Sequence, residues 1–282
     1  MVRNKPIILV LLLICSFTSG LSQTLNLQFI PSDKHQFELL INKPFQSDIF
    51  EHSTFSGTYD LLFNIPISKK LNLVGDLPFI YTDYEAKFRI DGFNYNYNFD
   101  KSGLGNIFIG LQLKPEELKN RMSFVTVGLN LPTANEDAAF SGIFYNYYKF
   151  EKYLSKTLGL YFNYAYHKIR NQGFYYGLEF GPNILVPTGD SRANTEILVH
   201  YGLSLGVQSK KIILNAELTG IGIVTASTDN FSDRLVNMLS FGSQWDGNFI
   251  IPKIFYKIYL KEELSDMIDG VLGIGVAVNI SD

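Results

Sequence analysis

A short motif in the middle of the chain has the spacing of a serine-hydrolase nucleophile. Gly202, Ser204 and Gly206 match the pattern G-x-S-x-G, and His200 precedes the serine by four positions. In those enzymes the serine occupies a sharp turn between a strand and a helix. Here apolar and polar residues alternate through the motif, which indicates an unbroken strand that separates the two side chains by roughly 13 Å. We therefore predict no catalytic residue and no enzyme.

The other residues that could do chemistry lack the spacing of metal or cofactor sites. No histidine belongs to a His-Glu-x-x-His pattern, and Gly103 and Gly105 are not followed by the last glycine of a dinucleotide-binding loop. We predict no metal site and no cofactor. The histidines are His35, His52, His167 and His200.

The first residues predict export. Two basic residues, Arg3 and Lys5, precede an unbroken run of nine apolar residues, and small residues follow. This order is typical of a secretory signal peptide, and the run is too short for a membrane-spanning helix, which needs about 20 residues. We predict a cleaved signal peptide over residues 1–22. The only cysteine, Cys15, lies within it.

The composition restricts the class of protein. Charged residues make up 18% of the chain and aromatic residues 15%, whereas typical soluble domains are about 25% charged. The net charge of −3 becomes −5 without Arg3 and Lys5, which argues against a nucleic-acid partner because such proteins carry basic patches. An exported, aromatic chain with no long apolar run after the signal fits a closed β-barrel in an outer membrane.

The elements that position these residues have the periodicity of strands. Apolar and polar side chains alternate in residues 70–82, and residues 157–168, 195–208 and 211–221 repeat the pattern. In a membrane barrel the apolar face meets lipid, while the other face surrounds a lumen. The predicted fold class is all-β, a transmembrane antiparallel up-and-down β-barrel.

Twelve strands are predicted, with fourteen as the alternative if a further strand forms near 35–45. Residues 1–22 would be the signal peptide, 23–50 an N-terminal extension or short plug, and 51–282 the outer-membrane barrel. The predicted strands are 53–66, 70–83, 103–114, 121–133, 143–153, 157–168, 174–186, 195–207, 211–224, 234–245, 248–260 and 270–280.

The connections indicate two unequal rims. Longer polar stretches lie near 83–102, 134–142, 225–233 and 262–269, and barrels of this class carry long loops at one rim and short turns at the other. Ser-Lys turns open three of the alternating runs. Two turns at the same rim must be separated by an even number of strands. If all three turns lay at one rim, the predicted strands would break this rule between residues 168 and 208. They are Ser68-Lys69, Ser155-Lys156 and Ser209-Lys210.

Three short motifs carry a family resemblance. Leu-Pro-Phe ends at Phe79, Gly-Leu-Gly-Asn-Ile begins at Gly103, and Leu-Pro-Thr ends at Thr133. In this order they resemble the outer-membrane barrel family labelled as putative transporters of the meta pathway of phenol degradation. The chain departs from the family at Asn106, where Asp is usual, and at Ala134, where Gly is usual. The resemblance implies uptake of small, often hydrophobic compounds.

Charged and polar residues on the second face of the strands are predicted to line the lumen, since a lysine or arginine facing lipid at the midplane costs about 2–4 kcal/mol. Interior salt bridges that fill a narrow barrel are favoured over a selectivity filter. The candidates are Asp76, Glu179, Glu196, His200, Asn215, Glu217, Lys253 and Lys257.

Two groups of aromatic residues are further candidates. Tyr95 and Tyr97, in a long loop, are candidates for contact with a ligand. The second group is predicted to belong to the interfacial girdle. It consists of Phe144, Tyr145, Tyr147 and Tyr148.

The predicted function is uptake or diffusion of small, in part hydrophobic, molecules across the outer membrane of a Gram-negative bacterium. The alternatives are a plugged structural or surface-interaction barrel with binding loops and, less favoured, a lipid-acting outer-membrane enzyme. The expected partners are outer-membrane lipid, a small-molecule solute of unknown identity and the barrel-assembly machinery, with no nucleic acid.

Overall fold

The computed structural model describes strands almost throughout. No helix of the described residues is long and apolar enough to cross a membrane. The predicted signal peptide lies outside the described residues. These are 24–25, 30–46, 50–52, 55–90, 93–114, 121–168, 173–189, 194–209, 211–226, 231–245, 247 and 249–280.

All strands belong to one antiparallel sheet that closes on itself. The first strand pairs with the last, and β4 pairs with both β3 and β6, which completes the ring. The strands are β1 His35–Gln46, β2 Phe50–His52, β3 Gly57–Ser68, β4 Leu71–Ile90, β5 Phe93–Leu104, β6 Phe108–Leu113, β7 Arg121–Asn130, β8 Thr157–Lys168, β9 Gly173–Pro187, β10 Glu196–Ser209, β11 Ile212–Ile223, β12 Leu235–Trp245, β13 Ile250–Tyr259 and β14 Ile268–Ile280.

These fourteen segments occupy twelve strand positions in the barrel wall, because two of the strands are interrupted and each is counted as two segments. Strands β5 and β6 pair one after the other with the same side of β4, and β2 continues the line of β3 along the opposite side. The predicted all-β antiparallel barrel of twelve strands is therefore confirmed. Strand β4 is 20 residues long, and its pairing with β5 continues past Tyr81, where its pairing with β3 ends.

The two rims differ as predicted. The terminal rim carries both ends of the sheet and the tight turns after Ser68 and Ser209, and the loop rim carries the four long polar stretches. The turn at Ser155 lies at the loop rim, because it follows the β7–β8 connection. Two of the Ser-Lys turns therefore lie at the terminal rim and one at the loop rim. This arrangement is compatible with the number of strands between them, so the predicted conflict does not arise.

Alternation in each strand separates an apolar outer face from a polar inner face. In β4, Leu77 and Phe79 are 38% and 39% exposed on the outside, whereas Asp76 is 4% exposed on the inside. In β10, Val207 is 51% exposed and Ser204 is fully buried. A row of large apolar side chains that faces outward on the strands of a closed barrel is the arrangement required in a hydrocarbon solvent.

The prediction for residues 143–153 was wrong, although the strand count was right. These residues form the end of helix α1 (Glu136–Tyr145) and a 3-10 helix, Tyr147–Tyr153, instead of a strand. The missing strand is β1, in residues assigned to an extension, so the wall begins at His35 and not near residue 51. The remaining short helices are α2 Glu262–Ser265 and a 3-10 turn at Phe231–Arg234.

Candidate functional site

A helical segment of the β7–β8 connection fills the loop-rim half of the lumen. We call residues 136–153, which comprise α1 and the following 3-10 helix, the plug segment. Asn135 caps α1 because its Oδ1 accepts hydrogen bonds from the backbone N–H groups of Asp137 and Ala138, and the acidic first turn complements the helix dipole. Tyr145 and Tyr153 of this segment are 2% and 0% exposed inside the barrel.

Asn106 holds both ends of the plug segment against the wall. Its Nδ2 donates to the backbone oxygens of Glu151 (3.0 Å) and Leu154 (2.7 Å), while its Oδ1 accepts from the Ala134 N–H (2.9 Å). The side chain lies in the break between β5 and β6 and is fully buried. Both donor and acceptor capacity are used, so this position needs an amide.

Buried charges tie the middle of the plug segment to two neighbouring strands. The Lys152 ammonium pairs with Asp76 on β4 and lies 3.5 Å from Asp60 on β3. Burial alone would lower the pKa of Lys152, but the two carboxylates raise it above its ordinary value. The lysine is therefore a cation, and it neutralises carboxylates that are themselves almost inaccessible to solvent.

The opposite side of the plug segment contacts β9 and β10. The Tyr148 hydroxyl donates to Glu179 Oε1 at 2.8 Å, and Glu151 Oε1 lies 3.7 Å from His200 Nε2. Burial, and then the charge of Glu179, raises the pKa of Tyr148 well above its ordinary value. The tyrosine therefore remains a neutral donor at physiological pH.

Residues 24–25 and 30–32, the described residues closest to β1 that enter the barrel, lie in the other half of the lumen. The Leu25 N–H donates to Glu217 Oε1 at 2.8 Å, and the Leu25 side chain packs against Leu40, Leu62 and Phe255. Further along, the Asn72 amide donates to the Ser32 carbonyl, and Lys114 pairs with Asp33 at 2.5 Å. Ile30 packs with Met122, Phe124 and Ala165.

A cavity of about 100 Å³ separates the two fillings. Its lining includes Lys149 and Glu151 from the plug segment, Leu25 from the N-terminal side, and Glu38 and Lys253 from the wall. Because a water molecule occupies about 30 Å³, the space holds a few waters or one small ion. Ligand pockets for larger compounds are about 300–1,000 Å³, so such solutes need one of the fillings to move.

Most of the predicted lumen candidates lie in the interior. Glu196 is the exception: it is half-buried near the loop rim and accepts a hydrogen bond from Thr225. Lys253 pairs with Glu38 at 2.5 Å, and Asn215 donates to Glu217 at 2.9 Å. The buried candidates are Asp76, Glu179, His200, Asn215, Glu217, Lys253 and Lys257.

The aromatic residues after residue 143 are not an interfacial girdle. Tyr145 and Tyr148 are almost completely buried inside the barrel, and Phe144 and Tyr147 pack against the interior cluster around Tyr148. Helical folding carries them into the lumen, whereas a strand would have placed them in the wall. The prediction that Tyr95 and Tyr97 lie in a long loop was wrong, because β4 continues to Ile90 and pairs there with β5, to which both tyrosines belong.

The hydrolase-like motif is part of the wall. Strand β10 is continuous from Glu196 to Ser209, and the buried Ser204 hydroxyl donates to Asn215 Oδ1 at 3.0 Å on the next strand. No strand-to-helix turn exists at this serine. Among the described residues, no group of three His, Cys, Asp or Glu side chains is placed to hold a metal ion.

These features define the class of protein: a transmembrane β-barrel with a filled lumen. No family profile and no curated relative matches the sequence. Two solved structures have a similar fold. NanC porin has a TM-score of 0.53 at 6% identity, covering 86% of this chain and 100% of that one, and KdgM porin has a TM-score of 0.51 at 6% identity, covering 87% and 99%. The barrel thus shares its fold with these two porins.

Proposed function

We propose that this protein passes small solutes across the outer membrane of a Gram-negative bacterium. The observation that carries the proposal is the closed barrel whose outer face is apolar and whose inner face is polar. Such a surface is stable only where lipid surrounds it, and a polar interior provides a route for solutes through that lipid. The similarity of fold to two porins supports this proposal.

The solutes are proposed to be small and to carry hydrogen-bonding groups. The inner wall contains a row of linked amides, with Asn72 donating to Asn64 at 2.6 Å and Asn64 donating to Gln112 at 3.2 Å. Hydrophobic compounds, which the resemblance to the meta-pathway family implies, remain part of the proposal where they carry such groups. The proposal also includes export through the predicted signal peptide and insertion into the outer membrane by the barrel-assembly machinery.

Because the lumen is filled, passage is proposed to require displacement of the plug segment. Its contacts with the wall are of two kinds. Lys152, Tyr148 and Asn106 make polar contacts, which water or a polar solute can replace, and the cluster around Tyr148 makes apolar contacts with wall residues such as Leu185 and Leu198. Displacement of the plug segment therefore exposes that apolar cluster as well as breaking the polar contacts.

Current through a planar bilayer tests the proposal. Residues 134–154 are replaced with a short Gly-Ser linker, which suffices because β7 and β8 are adjacent antiparallel strands. The unaltered protein is expected to show brief, rare openings, and the shortened variant stepwise conductance at much higher open probability. Replacement of residues 189–194, in another loop-rim connection, is the matched control and leaves the conductance unchanged.

The filled lumen also favours a second candidate, a barrel whose loops bind something outside the cell. A shortened variant that folds, as judged by heat-modifiable gel mobility, but stays electrically silent would contradict solute passage. Loss of a cellular phenotype on deletion of residues 84–101, which form the outer ends of β4 and β5 and their connection, with permeability unchanged, would then support the second candidate.

A further inference from the structure

The chain before β1 runs from the terminal rim to the middle of the lumen. At that rim, Asp33 pairs with Lys114, which follows the last residue of β6. Leu25 contacts Glu217 and Phe255, the sixth residues of β11 and β13, and both strands begin at the terminal rim. The chain on the N-terminal side of Leu25 therefore starts from the middle of the lumen and not from its mouth.

Thr24 brings the chain to the wall of the central cavity. It is almost completely buried and lines the cavity, and its carbonyl oxygen accepts from the Lys253 ammonium at 3.4 Å. Tyr148, Lys149 and Lys152 of the plug segment line the same cavity from the loop side. A space of about 100 Å³ between them has no room for 22 further residues. The arrangement therefore suits a chain from which the predicted signal peptide has been removed.

The ionisable side chains around this cavity do not balance in charge. Three lysines, Lys149, Lys152 and Lys253, line it together with four carboxylates. His200 also lines the cavity, but it adds a positive charge only when it is protonated. A buried charge without an opposite partner is costly, so we expect a further cation here. The carboxylates are Glu38, Asp76, Glu151 and Glu179.

Two of these carboxylates have an oxygen without a hydrogen-bond partner in the described part of the chain. They are Glu151 Oε2 on the plug segment and Asp76 Oδ1 on β4, and both residues are 4% exposed. An ionised carboxylate only accepts hydrogen bonds, and the bonds that it accepts from an ammonium group are among the strong ones. The partner that suits both oxygens is therefore a positively charged donor.

We propose that the α-ammonium group of Gln23, which is formed when residues 1–22 are removed, lies in the central cavity as the counter-ion of these carboxylates. Gly20 and Ser22 are small residues at the positions that signal cleavage favours. Gln23 lies outside the described residues, but one peptide bond places its α-carbon about 3.8 Å from that of Thr24. The inference rests on the signal-peptide part of the proposed function and not on solute passage.

Removal of the signal peptide thus supplies a structural group as well as completing export. Before the cut, the nitrogen of Gln23 is an uncharged amide with one hydrogen, and after the cut it is an ammonium with three donors. The ammonium belongs to the N-terminal side of the lumen and Glu151 to the plug segment. Their attraction therefore joins the two fillings across the cavity.

A matched pair of chemical modifications of the α-amine tests this role. The protein is exported in a Gram-negative host, purified in detergent, shown by mass spectrometry to begin at Gln23, and unfolded in urea near pH 7. There the α-amine, with a pKa of about 7.7–8.0, reacts before the lysines, whose pKa is about 10.4. Acetylation removes the charge of the α-amine, whereas reductive dimethylation adds a group of similar size and keeps the charge.

After refolding, the acetylated protein is expected to unfold at a lower urea concentration than the dimethylated and unmodified proteins, as measured by the fluorescence of Trp245. Glu151→Gln should reduce the difference between the acetylated and dimethylated proteins, because it removes one of the carboxylates that the ammonium faces. Glu136→Gln, at an exposed position of the plug segment, is the matched control and retains the difference.

Three results would overturn the proposal: a first residue other than Gln23 or one without a free amine, equal stability of the acetylated and dimethylated proteins, or a difference that Glu151→Gln leaves unchanged. If a modified protein or Glu151→Gln gives no heat-modifiable band, the unmodified protein decides. Its α-amine must be acetylated at least about tenfold more slowly when folded than in urea. All measurements are made without a membrane, so the proposal can fail while the barrel conducts, and the reverse.

Discussion

A single buried amide, Asn106, determines how the plug segment is attached. It joins the entry to that segment at Ala134 and the exit at Glu151 and Leu154. The carboxylate that the resembled family has at this position could accept from Ala134 but could not donate to two carbonyl oxygens. The attachment of the plug segment is thus specific to the residue present here.

Replacement of Asn106 with Asp is expected to loosen the plug segment. Two donor bonds are lost, each with a net value of about 0.5–1.5 kcal/mol, and the new charge faces carbonyl oxygens. Trypsin cleavage after Lys149 and Lys152, which are sheltered in the lumen, should accelerate at least about fivefold, since two such bonds amount to about 1 kcal/mol or more and about 1.4 kcal/mol corresponds to a factor of ten in the open population. Mass spectrometry of the early fragments measures this.

Asn163→Asp is the matched control for that substitution. Asn163 is also fully buried on the inner wall, but its amide donates to Tyr161, which belongs to the same strand. The Asn163→Asp substitution should lower the stability of the barrel, but trypsin should not cleave the plug segment faster than in the unaltered protein. Equal acceleration in both variants would mean that Asn106 has no special part in attaching the segment.

Alternation in the sequence predicts which residues face inward but not what their partners are. Asp76 and Lys257 could be placed on the inner face because their neighbours are apolar. The pairing of Asp76 with Lys152, 76 residues away, depends on how the β7–β8 connection folds, and no local pattern encodes that. The partners of the other plug-segment residues were missed for the same reason.

At the scale of elements, two segments show why the sequence was misread. The aromatic run after Ile143 suggested a strand, yet Asn135 followed by Glu136 and Asp137 is a helix start, and this signal was available. Strand β1 lies in residues that were assigned to an extension, although a further strand near 35–45 was the alternative. The charge of Glu38 is tolerated because Lys253 of β13 reaches it over Gly275 on the inner face of β14, and this neighbourhood exists only in the closed sheet.

Strands β8 and β9 approach closely at Gly181. We therefore expect a single added methyl group at this position to lower the free energy of unfolding. A Cβ at this position would lie 2.0 Å from the backbone oxygen of Phe162 and 2.5 Å from the Cα of Asn163. Backbone atoms within a sheet cannot move aside easily, so Gly181→Ala should destabilise the barrel by about 1–3 kcal/mol. Urea unfolding, followed by the fluorescence of the single tryptophan, Trp245, measures the change.

Gly222→Ala provides the comparison. The same methyl group there would meet only Leu235 Cδ2 at 3.4 Å and the Val199 oxygen at 4.0 Å, which are ordinary contacts. Its free energy of unfolding should stay within about 0.5 kcal/mol of the unaltered protein. A similar loss in both variants would show that strand spacing at Gly181 is not the cause.

At the scale of the whole molecule, closure depends on the pairing of the first strand with the last. Strand β1 is paired along its length with β14 and also with β3. A chain that begins at residue 51 lacks β1 and leaves two edges unpaired, which is not tolerated in lipid. We expect it to show no heat-modifiable band after refolding, whereas a chain that begins at residue 34 should show one.

Both truncated chains lack the residues before β1 that enter the lumen. They therefore differ from each other only in β1 and its connection to β3. A heat-modifiable band from the chain that begins at residue 51 would mean that β3 and β14 can close the barrel directly. Failure of both chains would instead assign an essential role in folding to the segment that contains Leu25 and Ile30.

The two fillings of the lumen differ in how they are tethered. The plug segment leaves β7 and returns to β8, a neighbouring strand, so it is a loop fixed at both ends to adjacent points of one rim. Leu25 belongs to a stretch that β1 fixes at its C-terminal end. Tension on the N-terminal side would therefore draw that stretch out lengthwise without unpairing a strand, whereas the plug segment yields only by swinging outward as a whole. Mechanically, one filling can be pulled out and the other can only be pushed aside.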